Sequence, residues 1–511
     1  MLSAGYTVSP EPITKQSAAL DAVLARSQMF ADQEPIAGPI TLEMALARAL
    51  RYNLDSRVAM LEQATQVSQL NLLHYDMLPR LTANAGYYQR DRELVSSSRA
   101  LRTGRVSEDN TVSTDRRRQV ADLTLSWNLL DFGTSYYQAK QQADRVLVAR
   151  ERQRRSTNNI FQEITSAYWQ AATAQRLLPR VQRALKDARR ALATSERLER
   201  ERAQPLSDSL RYQRDLLDLI RQLEAVAEDM QLAQTRLAQL MGLPPTTVYQ
   251  VAAAKVQKYP VPAVTHSAEH LERFALVSRP EVQEERYNVR IAQTETRRAM
   301  MRFLPNVNPF AMVAYDSNSY LVHNNWAEIG LRAGMNLLSL AALPTAQELA
   351  ERQVELAQAR KLAVSMAVVA QVHVALQQFN RSHRQFEAAS QVARVERRLS
   401  ALSTAGQLAQ SSSELDRVRF LTSALAAELQ RDRAYADLMN AHAALHVALG
   451  LDPVPGEDSR TLSLDALSAS IRAVQTSWWT GAIELPPVPD GLPAIAAPGT
   501  HPPPDGAQVR N

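Results

Sequence analysis

The chain alternates strictly from Ala121 to Leu129. Ala121, Leu123, Leu125, Trp127 and Leu129 are apolar, and Asp122, Thr124, Ser126 and Asn128 between them are polar. A period of two sends the two sets to opposite faces of a strand, one apolar and one wet. After Asp131-Phe132-Gly133 the alternation ends, and about 70 residues rich in Ala, Gln, Arg and Leu follow, with Pro179 as the only strong breaker. The pattern predicts a strand that runs straight into a very long helix. It recurs from Ala327 to Leu338, where Ala327, Ile329, Leu331, Ala333, Met335 and Leu337 alternate with Glu328, Gly330, Arg332, Gly334 and Asn336.

Elsewhere the helical period dominates. Leu42, Ala45, Leu46, Ala49 and Leu50 recur at i, i+3 and i+4 behind Thr41, a good capping residue, and this helix is expected to reach about Met77, where Leu78-Pro79 stops it. A strand is expected at about 81–89, and the polar stretch from Arg90 to Gln119 is expected to be a long loop. The long helix, about 133–203, would span about 105 Å with a kink at Pro179. Helices at about 42–77 and 206–241, laid end to end, match its length and are expected to form one composite partner for it.

The chain is written twice. An offset of 226 carries Glu43 to Glu269, Ala49-Leu50 to Ala275-Leu276 and Leu78-Pro79 to Leu304-Pro305. Past the loop the offset is 208, carrying Asn128-Leu129-Leu130 to Asn336-Leu337-Leu338, Arg211 to Arg419 and Gly242-Leu243 to Gly450-Leu451. The second loop is therefore 18 residues shorter, the difference between the two offsets. A period this long marks duplication of an architectural half rather than a solenoid. The divisions are an extended N-terminal arm at 1–40, a first repeat at 41–245, a linker or equatorial segment at 246–266 and a second repeat at 267–453. An equatorial segment at 454–484, with one apolar helix near 464–477, and a proline-rich tail at 485–511, expected to be disordered, complete the chain.

Composition narrows the class. Of 511 residues only 15 are glycine and 6% are aromatic, which suits long helices better than several turn-rich domains. No run of about 18 consecutive apolar residues occurs, so a membrane crossing is expected to use strands. The absence of cysteine removes disulfides, thiolate metal sites and cysteine nucleophiles. The net charge of +5 is mild, with arginines scattered along helical stretches, which argues against nucleic-acid binding. The sequence has no Gly-rich phosphate loop, His-Glu-x-x-His or Gly-x-Ser-x-Gly, so no catalytic residue, cofactor or metal is expected. His442 and His446 stand four apart on a helical stretch and read as packing residues first, metal ligands second. Leu2-Ser3-Ala4-Gly5-Tyr6 resembles the end of a bacterial lipoprotein signal with Tyr6 in place of the acylated cysteine; the alternative is a leader whose small residues carry no signal.

The opening helix TLEMALARALRYNLD with the LPRLTANAGYY after it, the SWNLLDFG junction, and the MGLPP and LGLDP ends of the halves occur in a duplicated order. In that order they resemble the TolC-like outer membrane efflux and secretion family, over residues 40–455. The resemblance implies a mainly α chain with a membrane β-barrel, in a homotrimer whose chains each give four strands to a 12-stranded barrel and together build an α-helical periplasmic tunnel. It implies a passive exit duct for small molecules in the bacterial outer membrane, partnered by a periplasmic adaptor and an inner-membrane pump. Type I protein secretion and polysaccharide secretion use the same architecture. The alternative of another class is a soluble helical scaffold or adaptor.

Physics agrees with the membrane reading: strands with one apolar face cannot close alone, and an open sheet in lipid leaves edge hydrogen bonds unmade. Oligomerisation would supply closure. Asp122, Thr124, Ser126, Asn128, Glu328, Arg332 and Asn336 would then face a watery lumen, with Trp127 and the aliphatic residues in lipid. A soluble sheet with one buried face would alternate in the same way.

One further constellation has a possible role. Asp208 with Arg211, and Glu414, Asp416 with Arg419, stand just after the reversals between long and short helices. An Asp near a helix start with an Arg three residues on is an ordinary capping and i, i+3 arrangement. In a TolC-like trimer the same groups, repeated three times, would form charged rings at a closed periplasmic entrance. The family's two-acid spacing is met by Glu414 and Asp416, while the first turn has Asp208 alone.

Overall fold

The computed structural model describes residues 11–31, 33–107, 109–201, 206–255, 259–408, 414–454 and 462–479. The segment expected to be an extended arm contains α1 (Lys15–Met29), begun by Thr14, whose side chain accepts a hydrogen bond from Ser17 N at 3.2 Å. Its Ala- and Leu-rich sequence favours helix locally, although it buries no residue. Tyr6 and the proline-rich tail lie outside the described residues.

The single helix expected up to Met77 is two, α2 (Leu42–Tyr52) and α3 (Leu54–Tyr75). Thr41 caps α2, accepting from Met44 N at 3.2 Å. Asn53 breaks the run: its backbone turns extended at φ −68°, ψ 129°, and its Oδ1 accepts from Asp55 N and Ser56 N at 2.8 and 3.3 Å. A side chain that satisfies the free N–H groups of a new helix start favours ending the old helix there.

There follow β1 (Arg80–Gln89), β2 (Val95–Ser96), β3 (Thr111–Val112), β4 (Arg117–Ser126), α4 (Leu129–Arg200) and α5 (Leu206–Leu240). The expected loop at 90–119 thus holds a short hairpin and the first three residues of β4. Those outer residues are polar on both faces, so alternation of hydrophobicity cannot reveal them. At 72 residues α4 is about 108 Å long, with Pro179 inside it. The linker forms a short 3₁₀ turn at Ala252–Lys255, and Val251 bridges Ile40 in parallel.

The second half repeats the order as α6 (Ala268–Ser278), α7 (Pro280–Met301), β5 (Asn306–Asp316), β6 (Asn325–Gly334), a 3₁₀ turn at Leu337–Ala342, α8 (Leu343–Leu408) and α9 (Glu414–Leu449), with α10 (Leu464–Trp479) after it. The sequence offsets reproduce the strand limits. An offset of 226 takes Arg80 of β1 to Asn306 of β5, and 208 takes Arg117 and Ser126 of β4 to Asn325 and Gly334 of β6. Register repeats as well, since Leu125 faces Leu81 and its counterpart Ala333 faces Val307.

The four long strands form one antiparallel sheet in the order β1-β4-β5-β6, leaving β1 and β6 as edges, and β2-β3 forms a separate hairpin. Around α4 pack α3 and α7, and also α5 and α9; α8 packs on α7 and on α9. One hydrophobic core joins α2, α4, the end of α5 and α10 through residues such as Leu46, Ile164, Leu237, Met241 and Ile471.

A membrane-spanning helix was not expected, yet Leu337–Ala405 contains a stretch long and apolar enough by composition to cross a bilayer. Gln and His interrupt its apolar runs, so no unbroken run exists while the average is high. Only 22% of that stretch is buried within the chain.

Candidate functional site

Register sorts the sheet into two faces, because residues directly opposite one another share a face. One face carries Leu81, Ala85, Leu123, Leu125, Val313 and Leu331, together with Ile329. These are solvent-exposed in the single chain, Ile329 by 87% and Leu331 by 69%. A contiguous apolar surface of this kind needs a non-aqueous neighbour. Tyr87 and Tyr315 stand near its outer end. At the helical end Trp127 packs edge-on to Phe132 and donates from Nε1 to Met77 O at 3.3 Å.

The other face mixes polar and charged residues with Phe310, Met312, Ala314 and Trp326. Asp122, Thr124 and Ser126 of β4 share it with Glu328 and Arg332 of β6. Asn84 Nδ2 and Thr124 Oγ1 donate to Asp122 Oδ2 at 2.9 and 3.0 Å. Near the outer end Arg118 pairs with Asp316 at 3.1 Å and stacks over Tyr88, while Arg332 lies over the Phe310 ring. Two residues expected in this set stand elsewhere: Asn128 and Asn336 lie past the strand ends as helix caps. Asn128 Oδ1 accepts from Leu130 N and Asp131 N at 3.0 and 3.1 Å, and Asn336 Oδ1 accepts from Leu338 N at 3.1 Å. Alternation extends through them, but their short side chains serve the free N–H groups of the helices that begin there.

A buried ionic ladder, marked by no sequence motif, lies among the helices. Glu428 and Asp432, four apart on α9, face Arg180 and Arg176, four apart on α4. Asp432 is fully buried and also takes Arg431 at 2.9 Å and the Tyr259 hydroxyl at 2.6 Å. Burial and the bond to Asp432 push the Tyr259 hydroxyl up to about 12. Burial raises the Glu428 carboxyl, but Arg180, helped by Arg397 of α8, outweighs it and leaves the group below its usual range. The matching i, i+4 spacings on two helices were the available signal; nothing in the sequence paired them.

His442 and His446 occupy a packed pocket. His446 Nδ1 contacts His442 O at 2.7 Å and its ring stacks on Trp478 at 4.4 Å, while the two imidazoles meet edge-on at 4.2 Å. Burial holds both neutral, lowering His446 to about 4 and His442 to about 2. At the far reversals Arg211 is exposed on α5. The side chains of Asp208, Glu414, Asp416 and Arg419 lie outside the described residues.

No family model and no curated protein matches the sequence. Solved structures do match. The CmeC outer membrane channel of Campylobacter jejuni aligns at TM-score 0.63 and 13% identity, over 87% of this chain and 95% of that one. The MtrE outer membrane channel of Neisseria gonorrhoeae, in its open state, aligns at 0.61 and 18% identity, over 80% and 88%. The outer membrane protein VceC of Vibrio cholerae aligns at 0.58 and 15% identity, over 80% and 96%. The chain has the fold of these outer membrane channels, in agreement with the TolC-like resemblance of its sequence.

Proposed function

We propose that this chain is the outer membrane channel of a tripartite efflux system, a passive duct for small molecules delivered by an inner-membrane pump through a periplasmic adaptor. The observation that carries the reading is the sheet. Its four strands present a continuous apolar face and end in two unpaired edges, an arrangement tolerable in lipid only if other copies close it. The β4–β5 pairing already joins one repeat to the next within the chain. The same step taken again joins β6 to β1 of another copy, and three copies give a 12-stranded barrel with Asp122, Thr124, Ser126, Glu328 and Arg332 towards the lumen.

The helices support the same assembly. In this chain α7 packs on α4. Its first-repeat counterpart α3 leaves Leu54, Val58, Leu61 and Leu72 exposed, and α8, the counterpart of α4, leaves Leu349, Leu356 and Met366 exposed. Each set meets the other across a threefold interface, forming the wall of a periplasmic tunnel. At the tunnel's far end Asp208, Arg211, Glu414, Asp416 and Arg419 gather as rings that constrict the entrance.

Light scattering and planar-bilayer recording on detergent-purified protein test this reading. A trimer with stable single-channel conductance is expected. A detergent-free monomer without conductance would favour a soluble scaffold instead.

A further inference from the structure

The two loops at the outer end of the sheet differ. Residues 317–324 contain neither arginine nor lysine, whereas the longer first loop carries Arg99, Arg102 and Arg105 within seven residues, with no acid between them. These three are exposed and make no ion pair among the described residues. The turn that presents them is well defined: Ala100 N donates to Arg105 O and Gly104 N to Ala100 O, both at 2.9 Å, with Gly104 at φ +67°. Arg99 Nε donates to Gly104 O at 3.2 Å, so its guanidinium is held by one nitrogen while its two terminal nitrogens stay available. Arg116 is held likewise, Nε to Arg90 O at 2.9 Å.

Aliphatic side chains accompany the cations. Leu101 at the turn is fully exposed, and Leu94 and Val106 are more than half exposed. The base of the loop is tied to the second loop, with Ser319 Oγ donating to Asp115 Oδ1 at 2.9 Å and Asn318 Nδ2 to Ser113 O at 3.0 Å. Arg117 shares the apolar face of the sheet, one rung beyond Tyr87 and Gln119. Guanidinium forks beside exposed aliphatic groups, on a loop that leaves the sheet where Arg117 follows the Tyr87 rung, complement an amphiphile whose polar part carries phosphate.

We propose that this hairpin binds the phosphate groups of outer-leaflet membrane lipid, Arg99, Arg102 and Arg105 engaging phosphate and Leu101 contacting acyl chains. The proposal rests on the outer membrane reading above.

The test compares the full-length protein in detergent with the variant Arg99→Gln/Arg102→Gln/Arg105→Gln. The probe is a bis-phosphorylated glucosamine-disaccharide lipid, and the control is the same lipid after enzymatic removal of its phosphates. Lipid retained through gel filtration is counted by native mass spectrometry. The expected result is preferential retention of the phosphorylated lipid, falling about tenfold in the variant. Equal retention of the two lipids, or no change in the variant, would overturn the proposal. Inorganic phosphate retained by the protein in a preparation that retains no phosphorylated lipid would mark a free-anion site and overturn the lipid assignment. Bilayer conductance of the same preparations separates the two readings: a conducting protein that ignores lipid phosphate refutes only the hairpin site, and a non-conducting monomer refutes the channel.

Discussion

Gly450 lies directly against the backbone of Arg279: at φ +72°, a Cβ on Gly450 would stand 2.7 Å from the Arg279 Cα. One repeat earlier Gly242, at φ +74°, closes on Tyr52, where a Cβ would meet the carbonyl oxygen at 3.0 Å. Each glycine ends a returning helix at the joint between the two helices that lead to the strands. Left-handed backbone costs a side-chain-bearing residue about 1–2 kcal/mol, and backbone cannot yield to relieve the contact. Gly450→Ala should therefore lower unfolding stability by at least about 2 kcal/mol. Gly38→Ala, where nothing lies within 4 Å, should leave it unchanged. Denaturant melts of both variants check this.

The ionic ladder gives a second expectation. Removing Asp432 would leave Arg176 and Arg431 without their shared, fully buried carboxylate. Asp432→Ala should cost about 3 kcal/mol. Arg180→Ala should cost less, because that side chain is 41% exposed and water can replace part of what is lost. Thermal unfolding that ranks the two in the opposite order would remove the ladder as a stabilising feature.

Acid should loosen the histidine pocket. The folded values, about 4 for His446 and about 2 for His442, lie below the unfolded value of 6.5, so below pH 6.5 the unfolded chain binds more protons than the folded one. The stabilisation is complete above pH 6.5 and is lost as pH falls towards 4, by about 1.4 kcal/mol per pH unit for each histidine. In His442→Gln/His446→Gln that part of the slope should vanish, as melting curves between pH 7 and pH 4.5 would reveal.

The two sheet faces predict opposite responses to charge. Leu123 and Thr124 are neighbours near the middle of β4 on opposite faces. Leu123→Arg places a cation on the apolar face at a cost of about 2–4 kcal/mol per chain in the bilayer midplane, whereas Thr124→Arg joins the face that carries Asp122 and Glu328. Detergent-extracted trimer should fall sharply for the first and persist for the second. Equal yields would undo the assignment of faces.

Much of the fold was legible because it is periodic. Alternation located β4 and β6, helical spacing located α2 and the long helices, and two offsets carried one half onto the other. What stayed hidden depends on single side chains or on pairing across space. Asn53 looks like any polar helix residue until its Oδ1 takes two N–H groups, and Asn128 continues the strand pattern while capping α4. Glu428 and Asp432 carry no local signal, because their partners stand some 250 residues away on α4. Which residues share a face of the sheet was legible from alternation only as far as the strands run, which is why Asn336, a cap past the end of β6, fell outside it.

If copies of this chain close one barrel by repeating the step that joins its own halves, the register between copies is fixed. Leu125 of β4 stands opposite Ala311 of β5. The same offsets, applied once more, set Ala333 of β6 opposite Ala85 of β1 in the next copy. The chain has no cysteine, so Ala85→Cys/Ala333→Cys can be oxidised without background. Neighbouring antiparallel residues fall within disulfide reach, about 4.5–5.5 Å between Cα atoms. Covalent trimers are expected on a denaturing gel after mild oxidation in membranes, and none for Ala85→Cys paired with Ile329→Cys, four residues out of register on the same face. Monomers alone from the first pair, or trimers only from the second, would contradict that closure.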